Sequence, residues 1–209
     1  MCKRIPGFTV FAVLLLASLP IPLVAKDKYQ DEAARLASLM HWANGDVIAE
    51  IGAGEGQMSF DAAKRVGQTG HVYATELDED KLANLKKDVA RDHVRNVTIL
   101  MAGTEDTNLP ANCCNSIFMR RVYHHFTHPK AIDAALFRDL KAGGMLALID
   151  FPPSKWLPAV PGVPANRGGH GIPEKVMIGE VKAAGFEIVS VQQGWPENDY
   201  FVLARKPAR

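Results

Sequence analysis

The chain has 209 residues, of which 47% are hydrophobic and 22% charged, with a formal net charge of +1. That suits one globular domain with a real core plus a short appendage, and nothing in the balance points to a nucleic-acid-binding surface. Of three cysteines, Cys113 and Cys114 are adjacent, which is no zinc-site spacing. They are expected to be packing thiols at a strand start, because adjacent cysteines rarely pair; a vicinal redox pair is the alternative.

The appendage comes first. Lys3 and Arg4 precede an uncharged apolar run, Phe8 to Leu19, which Pro20 and Pro22 break before "LVA" ends at Ala25. This is a secretory signal pattern, and the apolar run is short of the roughly 20 residues of a membrane span. The chain therefore divides into residues 1–25, a signal peptide or an uncleaved N-terminal anchor, and residues 26–209, a single domain. Export follows as the expectation, to the periplasm or to the inner membrane with residues 1–25 as the anchor.

Ala33, Leu36, Ala37 and Met40 recur at helical spacing, up to about Trp42. "VIAEI" (47–51) reads as a short buried strand, Met58 to Val66 as a helix ended by Gly67, and "HVYATE" (71–76) as a strand. Leu77 to Asp92 is a charged helix, "VTILM" (97–101) and "SIFMRRV" (116–122) are strands, Ala131 to Leu140 is a helix, and "GMLALIDF" (144–151) is a strand. That alternation implies an α/β domain with a parallel sheet and helices on both faces. Residues 152–172 are too rich in Pro and Gly for a core element and read as a lid. Glu174 to Ala184 is a helix, and "FEIVSVQ" and "DYFVLAR" close the chain as an antiparallel pair.

Gly52, Gly54 and Gly56 follow the first strand at two-residue spacing. Glycines there let a ligand approach backbone N–H groups that any Cβ would shield. Glu76, 20 residues beyond Gly56, ends the next strand, where a carboxylate can accept both ribose hydroxyls of a nucleoside. The spacing is G-x-G-x-G and not the dinucleotide G-x-G-x-x-G. Glu50, two residues before the loop, would repel a pyrophosphate and suits a ligand carrying an amino group and a sulfonium charge.

At these residues the chain resembles the class I S-adenosylmethionine-dependent methyltransferases, over about residues 30–206. "EIGAGEG" looks like their first motif, "VYATEL" their second and "AGTEDTNLP" their adenine-side loop, and "LKAGGMLALIDF" is similar to their fifth strand and the turn before it. "RVYHHF" and "GGHGIP" resemble a bacterial subgroup of predicted methyltransferases that often carry signal peptides. The resemblance implies a Rossmann-like, doubly wound, seven-stranded sheet, mostly parallel, in a three-layer αβα sandwich. It implies S-adenosyl-L-methionine as cofactor, held by Glu50, Gly52, Gly54, Gly56, Glu76, Leu77, Thr104, Glu105, Asp106 and Arg120. The reaction implied is in-line transfer of a methyl group to a small-molecule acceptor; a non-catalytic binder of the same cofactor is the alternative.

Arg120, Arg121, Tyr123, His124 and His125 stand at the exit of the fourth strand, an edge that faces the ligand crevice in such sheets. Tyr123, His124 and His125 are candidate catalytic residues, a histidine being able to remove the acceptor's proton, and the two arginines hint at an anionic or polar acceptor. His170, beyond the lid, is a further candidate, and Trp156 and Arg167 could shape the pocket. No spacing of His, Cys, Asp or Glu suggests a metal, and no nucleic-acid partner is indicated.

Overall fold

A computed structural model describes residues 28–208; the signal-like segment 1–25 lies outside the described residues. The elements run α1 (Lys28–Leu39), β1 (Val47–Ile51), α2 (Gln57–Val66), β2 (His71–Glu76), α3 (Glu79–Arg91), β3 (Val97–Met101) and β4 (Cys114–Arg120). There follow α4 (Pro129–Asp139), β5 (Leu140–Asp150), α5 (Glu174–Ala183), β6 (Glu187–Trp195) and β7 (Asp199–Arg205). Among the described residues no helix is long and apolar enough to cross a membrane.

The sheet order is β3-β2-β1-β4-β5-β7-β6, parallel except where β7 pairs with β5 and with β6. The α/β architecture and the antiparallel end are those expected. From β1 the chain winds outward to β3, then returns to lay β4 on the other side of β1. The crevice between β1 and β4 therefore opens at their carboxyl ends, the position where ligands bind in open α/β sheets.

Strand alternation sorts the core into two layers. Ile48 and Phe118 face one side, with Ala33 and Leu36 of α1 and Met58 and Ala62 of α2. Ala49 and Ile117 face the other, with Ile132 and Leu136 of α4 and Met177 and Val181 of α5. At about 25 cal/mol per Å² of apolar surface, each fully buried Leu or Ile contributes roughly 1.5–3 kcal/mol.

Several boundaries moved for visible reasons. α3 starts at Glu79 rather than Leu77 because the Asp78 carboxylate caps it, accepting from the Asp80 and Lys81 N–H groups. β4 ends at Arg120 because Arg121 turns out of the sheet with φ +55°. β5 begins early, at Leu140, and a register break between Cys114 and Ser116 absorbs the Gly-Gly turn. Cys113 and Cys114 are corrected: they are joined in a vicinal disulfide, where the bend after Asn112 (φ +52°) feeds the chain into β4.

Candidate active site

The three loop glycines all have positive φ but serve different ends. A Cβ on Gly56 would sit 2.5 Å from Leu85 Cδ2, and one on Gly52 2.5 Å from Val122 Cγ2; a Cβ on Gly54 would meet nothing within 4 Å. Gly56 is therefore demanded by packing at the start of α2, whereas Gly54 leaves its backbone bare toward open space. Its N–H donates to Glu76 Oε2 at 2.8 Å, and Glu76 Oε1 accepts the Leu77 and Asp78 N–H groups at 2.8 and 3.0 Å. Three backbone donors thus fix the Glu76 carboxylate at the end of β2.

A cavity of about 760 Å³ opens beside this loop. Gly52, Gly54 and Glu76 form one end, with Leu77, Ala102, Gly103, Thr104 and Asp106 beside them. Val122, His125, Phe126, Val160 and Pro161 line it further on, so the 152–172 loop does contribute to the wall. Leu77 is 56% exposed, an apolar face open to the cavity. Pockets of about 300–1,000 Å³ take ligands of cofactor size, and an apolar slot beside a fixed carboxylate suits a nucleoside.

The other expected cofactor contacts divide. Thr104 and Asp106 line the cavity. Asp106 is gripped by Arg138 at 2.7 and 2.9 Å, and these hydrogen bonds hold its carboxyl down at about 2. Glu105 does not line it but turns outward, 3.5 Å from His128 Nε2. Glu50 is displaced as well: it shares the strand face of Ile48, so it points beneath α2, where Ser59 Oγ donates to it. Burial pushes its carboxyl up to about 8.

Arg120 and Arg121 reach the cavity wall already paired. Arg120 Nε donates to both oxygens of Glu32 at 3.0 and 3.2 Å, and its Nη2 meets Glu197 at 3.0 Å. Arg121 makes two 2.8 Å contacts to Asp199 and one of 3.0 Å to Glu197. Their charges are spent within the fold, which removes the hint of an anionic acceptor. Glu32 also accepts from Trp195 Nε1 at 2.6 Å, tying α1 to β6.

The catalytic candidates separate too. Tyr123 is fully buried and donates to Asp133 Oδ2 at 2.8 Å, away from the cavity. Burial, then the neighbouring Asp133, raises its pKa, so it is a core residue. His124 is buried, with Nδ1 2.8 Å from Asp150 Oδ1. His125 lines the cavity, and burial, with His124 and His170 alongside, pushes it down to about 4. His170 stacks near both, at centroid distances of 5.2 and 5.9 Å.

Trp156 does not shape the pocket; it is 95% exposed at the tip of the loop. Arg167 is 1% exposed and clamps the loop base, donating to the Phe126 and Tyr123 carbonyls at 2.7 and 3.0 Å and to Glu180 at 3.0 Å. Asp150 was missed from sequence, although an acid ending the buried run "LALID" was the available signal.

The strand order, the glycine loop at the β1 exit and the fixed acid closing β2 are those of the class I S-adenosylmethionine-dependent methyltransferases. Residues 49–148 of this chain match the family model described as a methyltransferase domain. Among curated proteins, the ubiquinone/menaquinone biosynthesis C-methyltransferase UbiE of Neisseria meningitidis is 30% identical over 115 residues, 53% of this chain and 45% of that protein. The chain spans about half the length of the curated relatives it matches. Among solved structures, a SAM-dependent methyltransferase from Aquifex aeolicus superposes with a TM-score of 0.69 at 22% identity, covering 83% of this chain and 89% of that one. Phosphoethanolamine N-methyltransferase 2 of Haemonchus contortus, solved with S-adenosyl-L-methionine, gives 0.67 at 14%, covering 85% and 52%. At these identities the structures share the fold.

Proposed function

We propose that this chain transfers the methyl group of S-adenosylmethionine to a small-molecule acceptor bound between its β4 exit and the 152–172 loop. The observation that carries the reading is Gly54, whose missing Cβ leaves backbone facing open space beside the fixed Glu76 carboxylate. When bound, the cofactor supplies a methyl group already activated on a sulfonium, so no covalent enzyme intermediate is needed. Glu76 would accept the ribose hydroxyls, Leu77 and Ala102 would cover the adenine, and Thr104 and Asp106 would stand at its edge.

The protein's remaining task is to hold acceptor and methyl in line and keep water out. Val122, Phe126, Val160 and Pro161 supply an apolar wall, with His125 as its polar group to orient the acceptor. The wall's character, and relatives named for ubiquinone and menaquinone biosynthesis, favour a ring-bearing acceptor. No charge excess on the chain favours nucleic acid. The signal pattern of residues 1–25 supports an exported or anchored protein; N-terminal sequencing of protein recovered from its host should begin at Lys26, and an intact Met1 on soluble cytosolic protein would refute this.

Calorimetry with S-adenosylhomocysteine tests the site. Glu76→Gln should weaken binding about 10- to 100-fold, the cost of losing a charged hydrogen-bond acceptor; unchanged affinity would sink the assignment. A labelled-methyl screen over phenols, quinols, amines and thiols tests turnover. Binding with no transfer to any of them would favour the non-catalytic binder.

A further inference from the structure

Three imidazoles from two separate segments meet beside the cavity. His124 and His125 lie in the turn Tyr123–His125 after β4, and His170 comes from the far end of the 152–172 loop. One ring nitrogen from each lies within 4.8 Å of the other two. Nothing in the sequence spacing announced this, since 45 residues separate His125 from His170.

Two of the rings are oriented from behind. Asp150, fully buried, takes the His124 ring on Oδ1 at 2.8 Å and the His124 backbone N–H on Oδ2 at 3.0 Å. The Phe151 N–H at 2.9 Å holds it in place. With Nδ1–H given to the carboxylate, His124 Nε2 is left as a bare lone pair, and that atom is buried with no hydrogen-bond partner. His170 repeats the arrangement: its Nδ1 is 2.8 Å from the Pro158 carbonyl, which can only accept, so in the neutral ring Nε2 is the nitrogen that carries the lone pair. A ring N–H engaged by a carboxylate or carbonyl, with the opposite nitrogen left free, is how metal-binding histidines are held.

We propose that His124, His125 and His170 form a binding site for a divalent first-row transition metal, zinc above all, with the fourth position open toward the cavity. Three neutral nitrogen donors and no oxygen ligand suit zinc and disfavour magnesium or calcium. Zinc–nitrogen bonds of about 2.0–2.1 Å place tetrahedral donors about 3.4 Å apart, so the cluster must contract slightly. His125, the outermost of the three, its ring partly covered and held by ring contacts, is the residue able to swing in. The metal would hold and acidify the heteroatom of the acceptor. That role rests on the methyltransferase reading; metal binding itself does not.

The test uses the full-length chain, with any purification tag removed and metal stripped by a chelator. Titration with Zn²⁺ by calorimetry should show one site, and Co²⁺ should develop the visible absorption of a tetrahedral complex. His125→Ala and His170→Ala, both at the surface end of the cluster, should each weaken Zn²⁺ binding at least tenfold. Asp150→Asn should weaken it 10- to 100-fold, and His41→Ala, an exposed histidine outside the cluster, should leave it unchanged. Absence of Zn²⁺ and Co²⁺ binding, or equal affinity in His125→Ala and His170→Ala, would overturn the proposal. S-adenosylhomocysteine affinity measured on the same variants separates the two readings: metal binding without cofactor binding leaves the metal site standing and fails the methyltransferase, and the reverse fails the metal site alone.

Discussion

The two ends of the cavity are built from different materials. The cofactor end is backbone: left-handed glycines, one of them with no side chain between it and open space, and a carboxylate held by the two amides that follow it and by one from the glycine loop. The acceptor end is side chains, each fixed by a residue far away in the chain: Arg121 by Asp199, His124 by Asp150, the loop base by Arg167 and Glu180. Backbone sites are dictated locally, so they recur across a whole class. Side-chain sites depend on long-range pairs and can be rebuilt one residue at a time, which is where the proposed function would set its acceptor choice.

The largest blow to the acceptor end should come from Arg167→Ala. It leaves Glu180 and two carbonyls without their donor, and breaking such a buried ion pair costs about 3–5 kcal/mol. Denaturant unfolding would measure it; a loss under 1 kcal/mol would mean the loop base is held by packing instead.

Next comes the strand that leads into the glycine loop, through Glu50. Its carboxyl titrates near 8 in the folded protein against 4.5 when unfolded, burial being the main cause. The folded state keeps a proton that the unfolded chain has lost. Its contribution is therefore fully present below pH 4.5 and fades as pH rises to about 8, by up to about 5 kcal/mol. Glu50→Gln should flatten stability over that window, as read by urea midpoints at pH 5 and 8. An identical slope in both proteins would place the Glu50 proton elsewhere.

The finest cut divides the loop itself. Gly54→Val should cost about 100-fold in S-adenosylhomocysteine affinity, near 2.8 kcal/mol, beyond the roughly 1–2 kcal/mol of stability that any β-branched residue loses at its φ of +57°. Gly56→Val should instead cost about 1–3 kcal/mol of stability, through its collision with Leu85. If both variants lost binding and stability alike, the division of labour within the loop would be wrong.

How much of this was legible in the sequence follows the same divide. Strand and helix order, the glycine loop, Glu76, Leu77 and Thr104 could be read because each is a local requirement of backbone or periodicity. Glu50 was misplaced, although its shared parity with Ile48 already put it on the α2 face of the sheet. Glu105 and Asp106 could not be told apart before Arg138, 32 residues beyond Asp106, chose between them. "RRVYHH" looked basic because its partners, Glu32, Glu197 and Asp199, lie 77 to 88 residues away. The histidine cluster needed a loop path that Pro and Gly content does not encode, and the Cys113–Cys114 bond ran against the usual behaviour of neighbours.

The placement of β7 has a consequence for how the molecule is made. This last strand is an interior one, seated between β5 and β6. Asp199, at its start, secures Arg121, and Trp195 just before it meets Glu32 of the first helix. A chain emerging from the ribosome cannot close its sheet, or cover the buried acid of α1, until the segment through Arg205 has been made.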